Sequence, residues 1–223
     1  MILAAGRGER MGTLTQHTPK PLLRVNGKYL IEYALHRIKE ADIHEVIINI
    51  FYHADQIKLA LGDGKRYGLS IIYSEEKECL ETGGGILHAM PYLGDEPFLV
   101  MSSDIITDYP LSHLRDKRNG LAHLLMVKNP SYHLQGDFGI VDGKIDINSK
   151  PTLTFASIGV YHPQLFTTCQ LKQFRLTHVL IPAIQSHQVT GEYYDGLWAN
   201  IGTPEDLEKI NLMTAERTLL MTS

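Results

Sequence analysis

Apolar positions in the first hundred residues switch repeatedly between two periods. Residues 2–5 form a short apolar run ending at Gly6 and Gly8, whereas Leu30, Ile31, Ala34, Leu35, Ile38 and Ala41 recur at helical spacing. The pattern continues with a buried strand over 45–49, a helix over 54–61 closed by Gly62 and Gly64, and a strand over 69–73. A Gly-rich turn at Gly83–Gly85 then leads into a helix over 86–90, a strand follows over 98–101 with Asp104 just beyond its end, and a helix is expected near 111–118. Successive βα units of this kind predict an α/β fold, a Rossmann-like doubly wound sheet that is mixed but mostly parallel, with helices on both faces.

After Gly120 the rhythm changes to strands over 122–127, 138–141 and 152–160, separated by turn residues such as Asp142-Gly143. A helix near 176–186 and a strand or turn through 196–202 follow. A final helix starts at Thr203, where Thr-Pro-Glu-Asp offers an N-cap, a proline at the first helical position and acids in the first turn. No repeat or long linker divides the 223 residues, so one domain is expected, with a first half over about 1–120 and a second over about 121–223.

Charge narrows the function. With 21 Lys and Arg against 25 Asp and Glu, the chain carries no basic run that would track nucleic-acid phosphates. The apolar runs around 47–52 and 97–101 are far shorter than the roughly 20 residues of a bilayer span, which leads to the expectation of a soluble, cytoplasmic protein without membrane or nucleic-acid partners. Cys79 and Cys169 lie ninety positions apart and the histidines sit at no compact metal-binding spacing, so neither a disulfide framework nor a zinc site is indicated.

The segment Leu3-Ala-Ala-Gly-Arg-Gly-Glu-Arg-Met11, followed by Leu14-Thr15 and Pro19-Lys20-Pro21, is the most informative. It places a Gly-rich turn, Arg10 and Lys20 just after the first strand, where exposed N–H groups and cations can hold phosphate oxygens. The glycine spacing fits neither the dinucleotide G-x-G-x-x-G nor the P-loop Gly-Lys-Ser/Thr. Asp104, after an apolar strand, stands where α/β sheets place ligands.

G-x-G-x-R-M, L-T and P-K-P at these distances resemble the signature of sugar-1-phosphate nucleotidyltransferases. The similarity continues in order through Leu80-Glu-Thr-Gly-Gly-Gly85, Ser103-Asp104, Gly136-Asp-Phe-Gly139, Thr154-Phe155, Ser157 and Trp198 to Thr203. It implies UMP transfer from UTP to a sugar 1-phosphate, within the subgroup acting on N-acetylmuramate 1-phosphate, with Mg²⁺ as cofactor and release of pyrophosphate. Another NTP, another sugar phosphate (glucose, mannose or heptose), or a catalytically silent nucleotide-sugar sensor are the alternatives.

The same resemblance assigns roles. Arg10, Lys20 and Asp104 would be catalytic; Leu3, Ala4, Ala5, Gly6, Gly8, Arg10, Thr82 and Gly83 would hold the nucleotide; Asp137, Gly139 and Ser157 the sugar; Asp104 and Asn200 the metal. Asn200 stands where relatives in the subgroup carry Asp, so one expected metal carboxylate is an amide, and Thr13 replaces a proline. Monomer or weak homodimer is the expected state.

Overall fold

The computed structural model describes residues 1–117 and 119–221. Its strands and helices, in chain order, are β1 (Ile2–Leu3), β2 (Arg24–Val25), β3 (Lys28–Tyr29), α1 (Leu30–Glu40), β4 (Glu45–Ile50), α2 (Ala54–Leu61), β5 (Ser70–Glu75), α3 (Glu81–Leu93), β6 (Phe98–Ser102), β7 (Ile105–Thr107) and β8 (Ala122–Val127). There follow β9 (Gly139–Val141), β10 (Lys144–Asp146), β11 (Thr154–Tyr161), α4 (Thr177–Gln185), β12 (Val189–Tyr194), β13 (Trp198–Asn200) and α5 (Pro204–Met221).

Nine strands form one mixed sheet in the order β5-β4-β1-β6-β11-β8-β12-β10-β9. The portion β5-β4-β1-β6 is parallel throughout, and β8 with β12 is parallel, while β11 runs antiparallel between β6 and β8. From β1 the chain moves outward to β4 and β5 on one side and returns to β6 on the other, which makes β1 the switch point. A crevice opens beyond the carboxyl ends of these strands.

Alternation along the strands supplies both faces. Val46, Ile48 and Ile50 of β4 pack with Ile31, Leu35 and Ile38 of α1 and Ile57 of α2, whereas Ile47 faces Ile86 and Ala89 of α3. A smaller cluster of Val25, Leu30, Ile106, Ile201 and Ile210 fixes the first turns of α5 beneath the β7–β13 ribbon. The N-terminus of α5 behaves as its sequence foretells: Asp206 N–H donates to Thr203 Oγ1 (3.2 Å), and Asp206 Oδ2 accepts from the Thr203 and Gly202 amides (2.9 and 3.0 Å).

Two expectations need correction. Gly83–Gly85 do not form a turn before a helix; they lie inside α3, which starts at Glu81 and runs past Pro91 to Leu93. Glycine is a poor helix former, and packing overrides propensity here. A Cβ on Gly83 would collide with the ring and carbonyl of Phe174, one on Gly84 with the Lys172 carbonyl, and one on Gly85 with Glu76 Oε1 (2.6 Å) and Asn49 Nδ2 (2.8 Å). The helix expected near 111–118 is instead a single 3₁₀ turn, Leu111–Leu114, that inserts Leu111 and Leu114 into the core; Arg118 lies outside the described residues. Among the described residues no helix is long and apolar enough to cross a membrane.

Candidate active site

The crevice is a cavity of about 790 Å³ whose wall comes from the carboxyl ends of β1, β4, β5 and β6 and from the start of α3. Leu3, Ala4, Ala5, Gly6, Gly8, Arg10, Lys20, Asp104 and Thr82 all line it. Of the predicted nucleotide residues only Gly83 is set back, buried under Phe174 with its N–H donated to Phe174 O (3.0 Å).

The turn after β1 is shaped by local constraints and by the cavity. Gly8 adopts a left-handed conformation (φ 68°) and lies so close to Lys20 that a Cβ would stand 3.0 Å from Lys20 Cβ. Its carbonyl accepts from Met11 N–H (2.9 Å) and Thr15 Oγ1 (3.0 Å), which folds the Arg10 segment back over the turn. Gly6 is different: among the described residues, no atom would lie within 4 Å of a Cβ there. Packing does not require a glycine at that position, and the open space over it belongs to the cavity.

Opposite the turn, Asp104 follows β6. The Ile201 amide donates to the Asp104 carbonyl (2.9 Å), and Asn200 pairs with Ile105 across the β7–β13 ribbon. Lys20 Nζ donates to Asp104 Oδ2 in an ion pair. Arg10 lies against Gly202, where a Cβ would approach its guanidinium to 3.2 Å. Arg10, Lys20 and Asp104 thus line one cavity, while Asn200, across the β7–β13 ribbon from Ile105, lines a neighbouring cavity with Tyr132 and Asp206.

Asn200 Oδ1, on the residue paired across the ribbon with the one that follows Asp104, is buried and has no hydrogen-bond partner among the described residues, an acceptor that the fold leaves unused. One carboxylate and one amide oxygen fit Mg²⁺, which keeps several waters and takes its remaining ligands from substrate phosphates. They do not fit zinc, and no group of three His, Cys, Asp or Glu among the described residues could hold a metal.

Residues 1–217 match the profile described as nucleotidyl transferase. The chain belongs to this family. It is 42% identical over 213 residues to the N-acetylmuramate alpha-1-phosphate uridylyltransferase of Neisseria meningitidis, covering 91% of this chain and 92% of that protein. The protein of the same name from Caulobacter vibrioides is 31% identical over 222 residues, with 92% of each covered. Among solved structures, the inositol-1-phosphate CTP transferase of T. maritima superposes with a TM-score of 0.78 at 20% identity, covering 96% of this chain and 93% of that one.

In this nucleotidyl transferase the three residues assigned to the sugar lie outside the wall of the main cavity. The Asp137 carboxylate is engaged by His133 Nε2 (3.1 Å) and Phe155 N–H (2.8 Å). Gly139 makes room for Ser149, whose Cβ would stand 2.7 Å from an added Cβ. Ser157 sits at the irregularity in β11, with φ 57°.

Sequence reasoning missed Asn49, Glu76 and Tyr132. Asn49 and Glu76 stand at the ends of apolar strands and carry no motif. The Tyr132 hydroxyl comes within hydrogen-bonding reach of Asn200 and feels the charges of Asp206, Arg10 and Asp104, while burial is the main cause of its raised pKa. No signal near Tyr132 in sequence announces that neighbourhood.

Proposed function

We propose that this nucleotidyl transferase moves UMP from UTP to N-acetylmuramate 1-phosphate and releases pyrophosphate. The observation that carries the reading is the convergence of the Gly6–Gly8 turn, Arg10, Lys20 and Asp104 on one 790 Å³ cavity. The names of the relatives with 42% and 31% identity supply the substrates.

A sugar phosphate oxygen is already an anionic nucleophile. It attacks the α-phosphorus of UTP, the bond to the bridging oxygen of pyrophosphate breaks, and no proton need move. The work left to the protein is positioning and charge stabilisation. Amides of the Gly6–Gly8 turn, with Arg10 and Lys20, hold the triphosphate, and Gly6 lets its oxygens approach the backbone. Asp104 and Asn200 Oδ1 would hold Mg²⁺, which supplies charge neutralisation across the phosphates of both substrates. The half over 1–120 takes the nucleotide, with Thr82 at the nucleoside end. The half from 121 onward takes the sugar, and there Tyr132 joins Asp137, Gly139 and Ser157 as a candidate contact.

Pyrophosphate release with Mg²⁺ tests the reading, using UTP, CTP, GTP, dTTP and ATP against a panel of sugar 1-phosphates. Turnover confined to UTP and the muramate compound is the expected result. Turnover with a different pair would keep the chemistry and replace the substrates.

A further inference from the structure

A buried polar chain runs along the wall of the cavity, which Ala4, Asn49 and Glu76 line. The Ala4 amide, at the start of the phosphate turn, donates to Asn49 Oδ1 (2.9 Å). Asn49 Nδ2 donates to Glu76 Oε1 (2.7 Å), and Glu76 Oε2 accepts from the Leu80 amide (3.1 Å), immediately before α3. Asn49 and Glu76 are only 3% and 4% exposed. Three parallel strands and a helix start are therefore joined through two buried side chains.

Two further features indicate that the fold accommodates this pair at some cost. Gly85 is the one glycine of the triplet whose missing Cβ leaves space for it, since that atom would sit 2.6 Å from Glu76 Oε1 and 2.8 Å from Asn49 Nδ2. The Glu76 carboxyl is also raised above the ordinary carboxylate range, mainly by burial, with the bonds from Asn49 and Leu80 acting against that shift. Burying an acid beneath a polar cavity is unfavourable unless its bonds are complete.

We propose that Asn49 is a positioning residue that locks the phosphate turn, through Ala4, to Glu76 and the start of α3, so that the triphosphate end and the nucleoside end of the cavity keep one fixed separation. The proposal rests on the nucleotide-binding reading of the cavity. Asn49 does not react; it presets the distance between the Gly6–Gly8 amides and Thr82 before the nucleotide arrives, which lowers the ordering cost of binding.

The test exchanges donor and acceptor. In Asn49→Asp, the Ala4 bond is kept but an acid faces Glu76. In the double variant N49D/E76Q every bond can re-form with only the central one reversed, because the introduced glutamine amide donates to the introduced aspartate, which still accepts from Ala4, while the glutamine oxygen still accepts from Leu80. UTP binding with Mg²⁺ is measured by calorimetry, alongside KM for each substrate, kcat and thermal melting.

The expected result is at least tenfold weaker UTP binding for N49D and for Asn49→Ala, little change in KM for the sugar phosphate, and recovery to within about threefold in the double variant. Unchanged UTP affinity in folded N49D and N49A would overturn the proposal, as would equal loss for both substrates or a double variant that regains its melting temperature without regaining affinity. UTP binding by the unaltered protein without turnover on any sugar phosphate would count against the proposed function and leave this test in force. Failure of the unaltered protein to bind any nucleotide would overturn both.

Discussion

Lys20 and Asp104 form an ion pair between residues 84 positions apart, with side chains only 11% and 23% exposed. The pair joins the 3₁₀ segment after the Gly6–Gly8 turn to the end of β6, so the cation proposed for the triphosphate and the carboxylate proposed for the metal restrain one another. Removing either leaves the other's charge partly desolvated and unmatched. Lys20→Ala and Asp104→Ala are each expected to lower kcat by about 10² to 10³-fold. In a double-mutant cycle the combined variant should lose far less than the product of the single losses. Independent, multiplying losses would mean that the pair does not act as a unit.

Asn200 offers an oxygen without charge. Replacing it with Asp adds a second carboxylate to the proposed metal site and should lower the Mg²⁺ concentration for half-maximal turnover by several-fold. A Mg²⁺ titration of both proteins reads this directly; an unchanged or higher half-maximal concentration in the variant would remove Asn200 from the metal site. Chelation with EDTA should abolish turnover in both.

Gly83 is required by Phe174. Because a Cβ on Gly83 would run into the ring and carbonyl of that residue, Gly83→Ala should destabilise the fold by about 1–3 kcal/mol, the usual range for overpacking. Urea unfolding measures it. Phe174→Ala in the same chain should recover part of the loss if the clash is its source.

His123 gives stability a pH dependence away from the cavity. It is 4% exposed, with Nδ1 at 2.8 Å from Thr190 Oγ1 and Nε2 at 3.5 Å from Glu192 Oε2. Burial lowers its pKa below the ordinary 6.5; Glu192 opposes the shift and Lys117 adds to it. Below that ordinary value the unfolded chain takes up a proton that the folded chain refuses, so the unfolded state binds more protons and stability rises with pH. His123 therefore contributes stability that is present above about pH 6.5 and is lost as pH falls toward the folded value. Unfolding free energies at pH 7 and 5.5 should differ less in His123→Gln than in the unaltered protein. An equal difference in both would assign the pH dependence to other groups.

Much of this architecture was legible because local signals agreed. The helix at Ala54–Leu61 has its apolar period and Gly62 as its stop, and the strand at Ala122–Val127 is buried at every position. Arg10, Lys20 and Asp104 could be found because a glycine turn and an apolar strand end mark their surroundings. The Gly83–Gly85 segment misled because the cause of Gly83 and Gly84 lies about ninety residues further on, in residues 172–174, and that of Gly85 in Glu76 and Asn49, and periodicity carries no record of such approaches. Asn49 and Glu76 stayed hidden for a related reason: a buried polar side chain at a strand end looks like any loop residue until its partner is known.

The crossing of residues 172–174 over α3 reaches beyond packing. Phe174 O accepts both the Gly83 and Gly84 amides, and Phe174 N–H returns to the Leu80 carbonyl, so a segment from late in the chain completes the first turn of a helix that borders the main cavity. The early and late parts of the chain therefore share one helix start. A chimera that takes its first half from this chain and its second from a relative would receive a foreign clasp at the helix start that borders the cavity proposed for the nucleotide, and its nucleotide affinity is expected to follow the donor of that clasp.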